Sequence, residues 1–452
     1  MEKSQQNNSA FEPPSQLVRI GIVALLIAVV VFGVVTEIRS AFLHRRMTDV
    51  DTYFRAAWAV RLHLNPYNVT DTNSWHFNYP PLLAVLLYPL ADAPAGAGRF
   101  GELPYAASVA IWYILSVLFV WWGADVLAAA LEKTSANPLV RQLPPYCLRW
   151  WALRLVPILV CAPALGRTLV RGQVNALLVL LFCGAGALLA YRRQVWAGFC
   201  IGIAAALKLF PGFLLLYGIW RLRFGFLAGA IAALVLGMLV LPALVMGPHH
   251  MLAAYQQFDQ VILEPALGSN HDTSRATELL DINQTDSTSF EAMIDHTLYL
   301  NHPAPPPSGA IKIAHWAISF VLVGITLMVE RLRRKNDPIF RNLFFGSLIA
   351  IMLPIIPECH PHYMCMALPL ITTLLAAQWE TGVTLKIGWG LGLVLLGFAL
   401  SHVITVLPGL QITRDLGLVT YSDLALWIAG LVAMWHWKPI GPTGMEPVRT
   451  GS

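Results

Sequence analysis

The sequence predicts an all-α polytopic integral membrane protein, and three observations carry that prediction. The chain of 452 residues is 57% hydrophobic and only 12% charged, about half the charge fraction of a soluble domain. Apolar runs of about 20 residues recur along most of its length, enough for a helix to cross a hydrocarbon core. The formal net charge of +5 sits mainly in short loops, which marks topology and points away from nucleic acid.

Candidate spans are 17–37, 105–131, 151–167, 173–191, 224–246, 310–330, 340–357, 361–379, 386–407 and 421–437. The first begins after a polar tail (residues 1–16) and lacks a small-residue cleavage site, so it reads as a retained span. Basic clusters flank the others: Lys133/Arg141/Arg149, Arg192/Arg193, Arg221/Arg223, Arg331 to Lys335 with Arg341, and Lys438. The positive-inside rule assigns these to the cytoplasm. Residues 80–91 contain Pro80, Pro81 and Pro89 and are too short for a span, so they lie on or dip into the outer face.

Residues 194–220 run between two basic pairs and are broken by Gly198, Gly202 and Pro211. They are too short for two crossings and too apolar for a loop. A re-entrant pair of half-helices with Lys208 at its tip fits, since irregular backbone at that depth survives only against protein or water. The expectation is thus about ten full spans plus re-entrant or interfacial helices. Residues 17–437 form one transmembrane domain, with outer loops 38–104 and 247–309 and cytoplasmic tails 1–16 and 438–452. The six cysteines read as apolar fillers, and neither a C-x-x-C nor a zinc spacing occurs. No metal or other cofactor is called for.

Parity places several polar groups on one face, at helix ends or at membrane depth, where unpaired polar groups are costly and functional roles are enriched. Asp49 and Asp51 follow the first span. A carboxylate there serves as a general base toward a hydroxyl, or caps a helix end. Gln173 and Asn175 open a span just after Arg167 and Arg171, a helix N-terminus with arginines that suits phosphate or is a simple cap. Lys208 is a point charge for a phosphate leaving group, or a snorkelling side chain. His360 and His362, beside Glu358, read as hydrogen-bonding to phosphate or to the base, as a metal pair, or as packing. Tyr53, Tyr79 and their aromatic neighbours form an interfacial belt or stack on sugar rings. Asn283-Gln284 adds polar groups from the second outer loop.

Asp49-x-x-x-Tyr53, Asn65-Pro66-Tyr67, and Tyr79-Pro80-Pro81 with Tyr88-Pro89-Leu90 resemble the first outer loop of glycosyltransferase family 87. Gly172-Gln173-Val174-Asn175, Gly198 to Gly202, Ala206-Leu207-Lys208 with Pro211, and His362-Tyr363 with Pro369 are similar to its central and late segments. The resemblance runs from about residue 45 to 375. It implies a polyprenol-phosphate-mannose-dependent mannosyltransferase with a GT-C-type helical bundle.

The resemblance further implies that Asp49 is the base and that His362 lies near that base and the donor phosphate; Asp51, at a position where relatives vary, is the second candidate catalytic acid. Lys208, His360, Arg171, Gln173, Asn175, Tyr53, Tyr79 and Asn283 are the remaining expected binding residues. The implied partners are a polyprenyl-phosphate sugar, a lipid or glycan acceptor and membrane lipids. The expected setting is a bacterial inner membrane, the default where no eukaryotic targeting signal appears, with the site on the periplasmic face that parity assigns. The residues alone leave two rivals open: a multi-pass transporter or lipid flippase, which predicts charges spread across the bilayer, and a non-catalytic scaffold, which predicts that Asp49→Asn leaves function intact.

Overall fold

The structure is a computed structural model and describes residues 9–43, 48–97, 101–267, 275, 278, 286–300, 308–381 and 384–438. Among these, helices account for the regular structure, apart from an isolated β-bridge between Thr70 and His76. Among the described residues, six helices are long and apolar enough to cross a membrane: Gln16–Phe42, Tyr105–Thr134, Phe224–Met246, Gly309–Arg333, Pro338–Ile355 and Leu418–His436. A bent pair, Leu148–Val160 with Ala162–Arg171, makes a seventh if taken as one span. The chain is an integral membrane protein.

The expectation of about ten full spans is not reached by helices of spanning length. Asn175–Ala190 and Trp389–Ile404 have 16 residues each, a rise of about 24 Å against a core of about 30 Å. The 361–379 segment is a 3-10 stretch followed by an 11-residue helix. Prolines explain part of the shortening. Pro157 and Pro163 flank the 65° bend of the 148–171 pair, and each removes a backbone donor from the helical ladder.

Pro338–Ile355 is the central element, with every residue from Ile339 to Ile355 buried. Beyond Arg341, Asn342 and Ser347, its sequence is apolar on all sides, as a helix enclosed by neighbours requires. Asp337 caps it by accepting from the Phe340 N–H at 3.1 Å, and Pro338 supplies a preset φ at the first turn. The first helix is the opposite case. It touches the bundle where the Tyr113 hydroxyl donates to the Val29 carbonyl at 2.8 Å, while Leu26, Ile27, Val30 and Val31 are exposed, a lipid-facing surface.

Gln194–Leu207 and Phe224–Leu234 approach until their backbones touch. A Cβ at Gly198 would lie 1.8 Å from the Phe226 carbonyl oxygen, and one at Gly229 would lie 1.9 Å from that of Val195. Small residues at four-residue spacing permit such approach. The first of these helices ends where Lys208 turns to extended backbone (φ −152°, ψ 124°), and a 3-10 turn through Pro211 follows. The break falls at the tip anticipated from sequence.

Two ends of the bundle are chemically distinct. At one, Arg341 donates to the carbonyls of Leu189 and Ala190, and Arg221 and Arg334 both engage Glu330, at 2.7 and 2.8 Å. The other end of the same Asn175–Ala190 helix carries the polar groups described next.

Because the Gly198–Phe226 contact leaves no room for a side chain, Gly198→Val should destabilise the fold by about 1–3 kcal/mol, the usual cost of overpacking. Thermal unfolding in detergent should show a lowered Tm. An unchanged Tm would mean that the two helices are not held at that separation.

Candidate active site

The segment after the first span is a helix, Thr48–Arg61, and not a plain loop. Asp49 and Asp51 occupy its first turn, where carboxylates complement exposed N–H groups. Two residues apart on a helix is about 200°, so the two acids point in different directions. Asp49 reaches Arg171, Oδ2 to Nε at 2.9 Å. Asp51 is fully buried and accepts from both the hydroxyl and the backbone N–H of Thr72, the latter at 3.3 Å. Asp51 thus ties the 70–76 turn to the helix, while Asp49 faces the bundle.

Arg171 closes the Ala162–Arg171 helix, and Gly172 ends it in the left-handed region at φ 67°, a conformation natural to glycine. That reversal presents Gln173 and Asn175 to the same space. The Gln173 carbonyl oxygen accepts from the hydroxyls of Tyr53, at 3.1 Å, and Tyr79, at 3.4 Å. The two rings meet edge to face, with centroids 5.0 Å apart. Trp112 fixes the turn from behind by donating Nε1–H to the Gly172 carbonyl at 2.7 Å.

Asn175 joins the next two groups. Its Oδ1 accepts from Lys208 Nζ at 3.4 Å, and its Nδ2 donates to the His362 carbonyl at 3.5 Å. The Lys208 ammonium sits among three rings, 3.7 Å from the Tyr363 centroid, 5.3 Å from that of Tyr79 and 5.5 Å from that of Phe210. Ring faces stabilise a cation removed from water. Lys208 is 8% exposed, so it is buried here and does not snorkel to an interface. The Asp49 carboxylate lies close enough to act electrostatically on Lys208, Tyr79 and Tyr363.

His362 is buried, and its Nε2 has no hydrogen-bond partner. His360 stacks on it with ring planes 10° apart and centroids 5.1 Å apart. His360 is itself held between two acids, Nδ1 to Asp286 at 3.1 Å and Nε2 to Glu358 at 3.4 Å. Burial alone would oppose its protonation, but the hydrogen bonds and charges of the two carboxylates bring its pKa up to about 9. Burial would likewise raise the Asp286 carboxyl. The His360 hydrogen bond and charge, with Arg171 and Arg167, bring it down to about 2.

The structure therefore gathers Asp49, Arg171, Gln173, Asn175, Tyr53, Tyr79, Lys208, His360 and His362 into one connected cluster. Asn283 lies outside the described residues. Sequence reading did not single out Asp286, Tyr363 or Thr168, which donates to the His362 carbonyl at 3.0 Å. Asp286 stood among several loop acids, and its partner lies 74 residues away, so no local pattern marked it. Tyr363 was visible in the His-Pro-His-Tyr run, but its cation-holding role needs the fold.

A sequence model of glycosyltransferase family 87 matches residues 77–357, more than half of the chain. The chain belongs to glycosyltransferase family 87. The match covers the Gln173–Asn175 turn, Lys208 and Asp286, while Asp49 and His362 flank it. Among curated proteins, the chain is 35% identical over 153 residues to the polyprenol-phosphate-mannose-dependent alpha-(1-2)-phosphatidylinositol mannoside mannosyltransferase of Mycobacterium tuberculosis. That alignment covers 32% of this chain and 31% of the relative, so it spans about a third of the relative's length. Among solved structures, the family 87 chain aligns with ArnT from Cupriavidus metallidurans bound to undecaprenyl phosphate. The alignment covers 91% of this chain and 77% of that one, at 14% identity and a TM-score of 0.35.

The Asp286–His360 pair gives the fold a signed pH dependence. His360, raised to about 9, stabilises fully below its unfolded value of about 6.5, and that contribution disappears as pH climbs through about 9. Asp286, lowered to about 2, contributes fully above about 3.9 and is lost as pH falls through about 2. The Tm advantage of wild type over H360Q should accordingly be greatest between about pH 4 and 6.5 and shrink toward about pH 9. A constant advantage across that range, measured in detergent, would contradict a charged His360.

Proposed function

We propose that the protein is an inverting glycosyltransferase that moves a sugar, mannose in the first instance, from a polyprenyl phosphate to a lipid or glycan hydroxyl. The observation that carries this reading is the Asp49–Arg171 pair set beside the Asn175 side chain, which contacts both Lys208 and the His362 carbonyl. It sets one acid facing a group of cationic and hydrogen-bonding side chains at the end of a membrane bundle. Family membership sets the reaction class, and the mannosyl and polyprenyl specificities follow the relative's name.

In this reading Asp49 takes the proton of the acceptor hydroxyl as its oxygen attacks the anomeric carbon. The bond from that carbon to the phosphate oxygen breaks, and the polyprenyl phosphate departs with the electron pair. Lys208, His362 and Arg171 face the charge that develops, the arrangement that usually supplies the largest catalytic contribution. A single displacement needs one base and no covalent nucleophile. Tyr79, held with the buried Tyr53 by Gln173, presents its ring beside the sugar position. The donor's polyprenyl chain lies in the bilayer, which accounts for a polytopic scaffold around a transfer site. Asp51, spent on Thr72, shapes the turn that carries Tyr79.

The outer, periplasmic face of a bacterial inner membrane is the setting we propose. Support comes from the Asn175–Ala190 helix, which has the polar cluster at its first residue and the Arg341 contacts at its last. The positive-inside rule assigns the arginine end to the cytoplasm. A transporter would instead spread charges along a path through the bilayer.

Purified protein should transfer mannose from polyprenyl-phosphate mannose to a membrane lipid extract. Asp49→Asn should lower kcat by about 10²- to 10⁴-fold, the range for losing a positioned base, while donor binding persists. Equal turnover by the variant would remove Asp49 from the reaction. Failure of wild type with every polyprenyl-phosphate sugar and acceptor tried would sink the transferase reading.

A further inference from the structure

Residues 286–289 are laced to residues 358–360. The backbone N–H and the hydroxyl of Thr288 both donate to the Cys359 carbonyl, the hydroxyl at 2.9 Å, and the Cys359 N–H donates to Ser287 Oγ at 3.3 Å. From the far side, Thr420 donates to the Thr288 carbonyl at 2.7 Å. This lacing presses Asp286 against the edge of His360. With Glu358 at the other nitrogen, both ring nitrogens face carboxylate oxygens, an arrangement that suits a ring carrying two N–H donors. Asp286 is braced in turn by Arg167, 3.5 Å from its second oxygen.

What the clamp holds is the ring stacked on His362. The His362 backbone is fixed by Thr168 and Asn175 through its carbonyl, which leaves the plane of the imidazole to its neighbours. Those are His360 on one face and Tyr363, edge to face at a centroid distance of 4.8 Å. Nε2 is buried without a partner, and a buried polar atom of that kind calls for an explanation. His360 acts most strongly on this ring, followed by Arg171, Lys208 and Arg167, so the unpaired Nε2 lies in cationic surroundings that suit an anion.

We propose that Asp286 is a positioning residue, which fixes the plane of His362 through His360 and so aims the free Nε2 at a phosphate oxygen of the lipid donor. The inference rests on the phosphate site proposed above and assigns that site a support from the outer loop. In the tautomer protonated at Nε2, His362 donates to the phosphate without adding charge. The charged groups around His360 are Asp286 and Glu358 at its nitrogens, Arg167 behind Asp286, and Arg171 and Lys208 beyond His362. Tyr363 lies at its edge. Asp286 thus serves the transfer without touching substrate.

The test is binding of undecaprenyl phosphate to the full-length protein in detergent, titrated from about pH 6 to about pH 10, the range that brackets a raised histidine. Wild type, D286N, D286E, H360Q, H362Q and the D286N/H360Q double variant are compared, each checked for monodispersity and Tm. D286N should weaken binding about 10-fold near neutral pH, the usual scale for losing a charge-assisted hydrogen bond. It should also move the alkaline loss of affinity to lower pH. D286E should stay near wild type if it folds. Because Asp286 acts through His360, the double variant should bind no more weakly than H360Q alone.

Multiplying effects of D286N and H360Q, or a wild-type pH profile in D286N, would overturn the proposal. So would H362Q binding as wild type while D286N is impaired. Absence of binding by wild type itself would remove the phosphate site, and the proposal with it. That result is distinct from strong wild-type binding with indifferent variants, which overturns the positioning role alone.

Discussion

The burial of the Lys208 ammonium is the constraint around which the rest of the site is organised. A cation withdrawn from water is costly unless other groups replace its hydration. Here the replacement comes from separate parts of the chain: Tyr79 from the segment before the Tyr105–Thr134 helix, Asn175 from a helix start, and Tyr363 from the 3-10 stretch after the central helix. Each must arrive with its polar atom or ring face turned inward. The Gly198–Phe226 contact packs the Gln194–Leu207 helix tightly against its neighbour. The extended break at Lys208 then lets the side chain leave the helix direction. A small-residue interface and a polar site are therefore parts of one structural device.

Much of this was legible because membranes impose strong rules on sequence. Low charge, long apolar runs and flanking arginines define the class with little ambiguity. The break at Lys208-Leu209-Phe210-Pro211 was visible because glycine and proline interrupt an otherwise apolar segment. The span count was not legible in the same way. A run of about 18 apolar residues reads as one crossing, yet residues 361–379 divide into a 3-10 stretch and a short helix, and 148–171 is bent by 65°. Hydropathy registers an apolar environment, not whether the backbone within it is straight.

The site shows the same division. Asp49, Lys208 and His362 stood out because each is polar where polarity is expensive. Asp286 did not, since a loop carboxylate is ordinary until the fold places it against His360. The roles of Asp49 and Asp51 also separate only in three dimensions. Both are acids in the first turn of one helix, but the helical rotation between them sends one to Arg171 and the other to Thr72. Sequence identifies which residues are costly to place, and the fold decides which of them meet.

Charge bookkeeping explains why such a cluster suits the proposed transfer. The donor is a phosphodiester with one negative charge, and the departing lipid phosphate gains a second. Over the same step Asp49 accepts a proton and loses its charge. One unit of negative charge therefore passes from Asp49 to the leaving phosphate, and the total within the site is unchanged. Arg171 is paired with Asp49 at 2.9 Å beforehand, so neutralisation of that carboxylate releases the guanidinium as the phosphate needs it. Lys208 and the His362 backbone are already held together by Asn175. A fixed set of donors that matches the charge both before and after transfer is the preorganisation that makes a low-dielectric site effective. A membrane bundle supplies the rigidity to keep that set in place.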